Sequence, residues 1–280
     1  MSCLKIKGLT YQKFPQSFSD KLISVDDTFK IILDRLAPQI QSLNALIPGN
    51  EQAMQIDHVF CSTMLSNCFA NGAIKFIEIR EYLKTKINKL LPSLFVNAYE
   101  CATWGYVLKY LLKKHPENKY FMITIIDANI YNFEFLNFSS EWGQSGYGAT
   151  TLLIEKKGDM RDELITGGAE AIDNPMNRFA MAVYKTSISR KDKILSLPFF
   201  LDEVMQVLKS MVKNLNVLPN RYPDWGHCFG SDPWISIIHD VISIPQITKD
   251  KNYFVCSYSL HGFYSFLEID ITPESIVSLI

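Results

Sequence analysis

Apolar positions along this chain recur in two alternating periods, one of strands and one of helices. Leu4–Leu9 is short and apolar and predicts a strand closed by Gly8. Phe29, Ile32, Leu33 and Leu36 fall at helical spacing. They predict a helix over 29–46 that Asp26 and Asp27 cap and Pro38 kinks or restarts. Ile56–Thr63 reads as a buried strand, Asn71 as the cap of a second helix reaching Leu91, and Ser93–Ala98 as a short strand. Trp104, Val107, Leu108, Leu111 and Leu112 then mark one helical face. That helix ends on Lys113, Lys114 and His115, where cations suit the dipole, and Pro116 stops it. Phe121–Ala128 is a strongly apolar strand, so this stretch predicts a β-α-β unit with Cys101 at the strand-to-helix corner.

The pattern then restarts. Thr150–Glu155 predicts a strand behind a glycine-rich turn of Gly143, Gly146 and Gly148. Pro198 fits the first turn of a helix whose apolar face carries Leu201, Val204, Met205, Leu208, Met211 and Val212. Asp232 and Pro233 read as cap and first residue of a helix through Ile235, Ile238 and Val241. Phe254–Leu260 and Phe263–Ile271 predict two strands joined tightly at His261 and Gly262. Strands alternating with helices predict an α/β architecture with a buried sheet.

Composition narrows the classes. A chain of 280 residues allows one large domain or two fused ones, and 48% hydrophobic against 20% charged residues allows a sizeable core. Twenty-eight basic residues balance 29 acidic ones, which leaves no electrostatic case for nucleic acid or a membrane surface. No run of 18 apolar residues predicts a membrane span, and residues 1–8 lack the apolar stretch of a secretory signal. None of the six cysteines falls in a Cys-x-x-Cys pair, so no metal site is expected. Free thiols in a reducing cytoplasm are expected instead.

Cys101 carries the candidate chemistry. A helix N-terminus offers unpaired N–H groups and about half a positive charge, which favour a thiolate and can hold an oxyanion. A nucleophile that takes an acyl group from a thioester needs both. The other reading of Cys101 is a small buried side chain packing as alanine would, and spacing alone does not separate the two.

Four segments resemble ketoacyl synthase III enzymes of the thiolase superfamily. Phe95-Val-Asn-Ala-Tyr-Glu-Cys101-Ala-Thr-Trp-Gly105 is similar to the family's active-cysteine segment. Gly143-Gln-Ser-Gly146-Tyr-Gly148-Ala-Thr is similar to its Phe-Gly-Asp-Gly-Ala-Gly-Ala. Leu260-His261-Gly262-Phe263 resembles its closing glycine-rich hairpin, and Ile56-Asp57-His58-Val59 an upstream strand. The resemblance implies a thiolase-like α/β fold of two similar halves, 1–165 and 166–280, each a sheet covered by helices. It implies Cys101 as nucleophile, and His227 in place of the asparagine of a Gly-Asn motif as its partner. It implies Gly262 as an oxyanion donor or a plain tight-turn residue, and His261, in place of a family glycine, as a turn residue that could intrude on the pocket. It also implies no permanently bound cofactor, an acyl carrier protein or coenzyme A thioester as donor, and a homodimer or heterodimer.

Two departures matter. The family's His-x-x-Asn motif does not occur in its place in the second half, where 215–224 is too short to hold it, so malonyl decarboxylation lacks its usual helper. Nothing in 10–46 matches the coenzyme A contacts either. Such shortening resembles the reduced subunit of alkylquinolone synthase. Two functions follow. One is acyl transfer or condensation in polyketide-like or other secondary metabolism. The other is a structural subunit supporting a catalytic ketosynthase-like partner. For His227 the alternative is a surface histidine in a Pro/Asp/Gly-rich loop. His58 reads as structural or exposed, His115 as a helix end and His239 as solvated. Phe133–Phe138 reads as an acyl tunnel, core or dimer interface.

Overall fold

The computed structural model describes residues 2–14, 24–49, 56–62, 65–128, 130–131, 134–158, 163–168, 175–212 and 214–280. Ten strands form one sheet: β1 Leu4–Lys13, β2 Asp57–Ser62, β3 Leu94–Val96, β4 Tyr120–Asp127, β5 Gly148–Lys156, β6 Leu164–Gly167, β7 Ile194–Ser196, β8 Asn216–Val217, β9 Lys251–Tyr258 and β10 Tyr264–Leu279. The six longer helices are α1 Val25–Asn44, α2 Phe76–Lys84, α3 Thr103–Lys114, α4 Pro175–Ser187, α5 Asp202–Met211 and α6 Asp232–Ile242.

The strands fall into two sets of five with the same topology. In the first, β1 pairs antiparallel with β5, β5 antiparallel with β4, β4 parallel with β2, and β2 parallel with β3. In the second, β6, β10, β9, β7 and β8 repeat that order and those directions. Two separate sheets were expected. The structure joins them, because β10 runs on past β6 and pairs in parallel with β1 from Asp270 to Leu279. The expected boundary at 165/166 falls inside β6, which belongs to the second set.

Helices α3 and α6 form the middle layer. α3 packs on β2 and β4 from one side and on β6 and β10 from the other, while α6 packs on β7, β9, β10 and β1. Trp104 and Trp234 meet edge to face between them, ring centroids 5.1 Å apart. α3 lies so close to β10 that a Cβ on Gly105 would stand 2.4 Å from the Ser265 side chain. α1 and α2 cover the outer face of the first set through Phe29, Leu36, Phe60 and Leu83. α4 and α5 cover that of the second through Phe179, Leu208, Phe254 and Phe266. The result is a five-layer α-β-α-β-α arrangement.

Local chemistry moved several predicted ends. Ser24 caps α1 by accepting the Asp27 N–H at 3.0 Å. Asp26 and Asp27 therefore sit in the first turn, where carboxylates meet the positive end, and Pro38 is carried inside the helix. Asn71 does not cap a helix reaching Leu91; it accepts the Ala73 N–H in a turn, and helices Ser66–Ala70 and Phe76–Lys84 flank that turn. Pro198 precedes α5 rather than starting it, since the helix begins at Asp202 behind Leu201. Among the described residues no helix is long and apolar enough to cross a membrane.

Candidate active site

Cys101 follows β3 by way of a cramped turn. Tyr99 and Glu100 both take left-handed backbone angles, φ 64° and 48°, before a 3₁₀ turn over Glu100–Ala102 hands the chain to α3. Among the described residues four non-glycines have positive φ, and three of them, Tyr99, Glu100 and Phe229, lie within two residues of Cys101 or His227. Each such conformation costs about 1–3 kcal/mol and persists only where its surroundings enforce it. Here Thr103 Oγ1 donates to the Glu100 carbonyl at 2.6 Å, and Ser265 Oγ donates to the Ala102 carbonyl at 2.8 Å.

The glycine-rich segment places His227. The His227 N–H donates to the Gln144 carbonyl, and the Gly146 N–H donates to the His227 carbonyl, both at 2.8 Å. Gly226 holds φ +68°, and a Cβ there would stand 2.7 Å from the Gln144 oxygen, so the approach needs glycine. The His227 ring then lies with Nε2 3.8 Å from Cys101 Sγ, within reach of a hydrogen bond to sulfur. Its Nδ1 lies 2.7 Å from Asp232 Oδ2, an ion-pair distance, with the ring turned so that the N–H does not point along that line.

Asp232 was read as a helix cap. It is instead fully buried and accepts the Cys228 N–H at 2.6 Å and the Phe199 N–H at 2.9 Å while facing His227. Asp127 ends β4, also fully buried, and accepts the Gly230 and Ser231 N–H groups at 3.3 and 3.2 Å. Burial pushes both carboxyls upward, Asp127 well above the usual range and Asp232 less so because His227 pulls it down.

The Cys101 thiol is not activated as expected. Burial pushes it well above its ordinary value, and the carboxylates of Asp232, Glu100 and Asp127 add to that against its own backbone N–H. The 3₁₀ turn separates the sulfur from the first residue of α3, and three acidic groups outweigh the helix dipole. Cys101 therefore rests as a thiol and needs a base.

The thiol and imidazole lie on the wall of a cavity enclosing about 670 Å³, its open mouth included. Phe199, Phe200, Leu201, Val204 and Phe229 supply apolar lining, and Glu100 and Glu141 supply two carboxylates. Leu260 of the closing hairpin also lines it, whereas His261 and Gly262 do not. The Gly262 N–H donates to the Ser259 carbonyl at 2.9 Å, so it is spent inside the turn and is not free for an oxyanion. His261 is three-quarters exposed and pairs with Glu100.

The remaining expectations sort as follows. His58 is buried and structural, hydrogen-bonded to the Leu90 carbonyl and Thr124 Oγ1. His115 ends α3. His239 is half-buried against Trp225 rather than solvated. All six cysteines are free thiols. Phe133 lies outside the described residues, and Phe138 is exposed.

Comparisons agree with the architecture. No protein-family model matches the chain, and no curated protein matches it. Among solved structures, 3-oxoacyl-(acyl carrier protein) synthase from Burkholderia xenovorans LB400 superposes with a TM-score of 0.60 at 14% identity, over 99% of this chain and 96% of that one. The 3-oxoacyl-(acyl carrier protein) synthase III of Pseudomonas aeruginosa PAO1 superposes with a TM-score of 0.62 at 8% identity, over 98% and 99%. A curacin-pathway HMG synthase, solved in complex with acetyl donor-ACP, superposes with 0.58 at 12%, over 97% and 81%. At such identities the likeness is one of fold.

Proposed function

We propose that this chain, which has the thiolase-like fold of the ketoacyl synthase III type, transfers acyl groups through Cys101. The single observation that carries the reading is the 3.8 Å approach of His227 Nε2 to Cys101 Sγ at the wall of an apolar cavity. As the sulfur attacks a thioester carbonyl, His227 Nε2 takes its proton, because the thiol does not ionise on its own here. When the donor's C–S bond breaks, the same imidazole returns the proton to the departing thiolate. Cys101 is then acylated and His227 neutral, ready to take a proton from an acceptor. Asp232, held by two backbone N–H groups, stands 2.7 Å from Nδ1 as the counter-charge to the proton in transit. The donor is an acyl carrier protein or coenzyme A thioester. The carrier-protein complex of the curacin-pathway enzyme, which shares the fold, favours the former. Lacking a His-x-x-Asn motif in the second half, the chain fits a specialised secondary-metabolite transfer better than decarboxylative chain elongation, and it works as a homodimer or heterodimer.

Mixing the protein with an acyl-carrier thioester or an acyl-coenzyme A, and following free carrier thiol, tests this. The expected result is a burst of one thiol per chain that Cys101→Ala abolishes. No burst from either donor, with or without a co-expressed ketosynthase-like partner, overturns it. That outcome would favour a second reading, a non-catalytic subunit of a heterodimer. Its supporting observation is a thiol buried in the fold with acidic rather than basic side chains as its charged neighbours.

A further inference from the structure

The cavity beside Cys101 has an asymmetric charge. Its lining contains Glu100 and Glu141, while among the described residues no lysine or arginine lines it. Asp232 and Asp127 lie buried behind the thiol, each bound to backbone N–H groups. The cation-capable side chain in contact with Glu100 is His261, outside the lining and largely in solvent. An anionic acceptor, such as a malonyl-type carboxylate, would enter this space past Glu100 and Glu141, with His227 the one cation-capable side chain among its described lining residues.

The aromatic lining points the same way. Trp142 follows the exposed Glu141 and packs edge-on to Phe229, ring centroids 5.8 Å apart. Phe229 lies 4.6 Å from the His227 ring. Indole and phenyl faces next to carboxylates are the surroundings that attract an ammonium group, through the ring quadrupole and through charge.

We propose, building on the acyl-transfer reading, that the acceptor which discharges acyl-Cys101 is a cationic primary amine, and that the product is an amide. The ammonium docks at Glu100 and Glu141 beside Trp142. It loses one proton to solvent at the mouth, past Glu100. The neutral nitrogen attacks the thioester carbonyl, forming the C–N bond and then breaking the C–S bond. The second nitrogen proton passes through His227 to the departing Cys101 sulfur, restoring the thiol. No oxidant or further reactant is needed.

The test starts from acyl-enzyme made with an octanoyl thioester of N-acetylcysteamine and verified by intact mass. Its discharge is then timed with n-butylamine, n-butanol or a malonyl thioester. The expected result is release as N-butyloctanamide, with the malonyl thioester ineffective and the amine's KM rising with salt. In Glu100→Gln/Glu141→Gln the amine-to-alcohol preference should fall on the order of tenfold. Glu141→Gln alone, at an exposed position, should show part of that loss. Discharge by the malonyl thioester as fast as by the amine overturns the inference, as does an unchanged preference in both Gln variants. Those results leave acylation of Cys101 standing. Failure to form the acyl-enzyme from this thioester, an acyl-carrier thioester and an acyl-coenzyme A alike refutes the acyl-transfer reading itself, and this inference with it.

Discussion

Replacing Asp232 by asparagine should push two properties of Cys101 in opposite directions. Among the charged neighbours of the thiol, Asp232 contributes most to its raised pKa, so removing that charge should lower it. Cys101 should then react with iodoacetamide at lower pH. The same change strips the anion that faces His227 Nδ1 at 2.7 Å, so the counter-charge to the transferring proton is lost. Acylation by a thioester should therefore fall, by as much as about ten-thousandfold, the loss that follows when a triad histidine loses its carboxylate. Asparagine keeps one oxygen for the two N–H donors, Phe199 and Cys228, so one is left short at a cost of about 1–3 kcal/mol. Loss of a buried charge offsets part of that. The assay is peptide-level mass spectrometry of Cys101 alkylation across pH, beside the rate of acyl-enzyme formation. If acylation rises along with alkylation, or stays unchanged, Asp232 does not act through His227.

Three further outcomes follow from the geometry. Burial holds His58 neutral down to about 4 against an ordinary 6.5, so its stabilising share is complete above pH 6.5 and is lost as pH falls through 4, about 3 kcal/mol in total; urea midpoints of His58→Gln should decline less steeply than wild type over that window, and parallel curves would refute this. Gly105→Val should cost about 1–3 kcal/mol or more by thermal melt, because its side chain would enter the space of Ser265, and an unchanged midpoint would contradict that packing. Val204→Trp should fill the apolar cavity and slow acylation by long-chain thioesters more than by acetyl ones, and equal slowing would remove Val204 from the acyl path.

Much of the scaffold was legible because the strands and the helices α1, α3 and α6 bury continuous apolar stripes whose period survives any cap. The site was legible in part. Cys101 and His227 stand out by residue type, and the structure brings them together. The glycine-rich segment was read as a turn before a strand, and its pairing with the His227 backbone needed the fold. Asp232 carried a misleading signal, since an Asp-Pro pair before an apolar run looks like a cap. Asp127 carried a usable one, a lone acid ending an otherwise apolar buried strand. The thiol's protonation was read in the wrong direction, because a helix N-terminus is visible in sequence while three carboxylates converging on one sulfur are not.

The central claim is that Cys101 receives an acyl group, and intact mass tests it most directly. After incubation with a carrier-protein or coenzyme A thioester, the chain should gain the mass of one acyl group. Peptide mapping should put that group on Cys101 rather than Cys228, and His227→Ala should gain it far more slowly. An unmodified mass under every donor, or an adduct that persists in Cys101→Ala, would contradict the account.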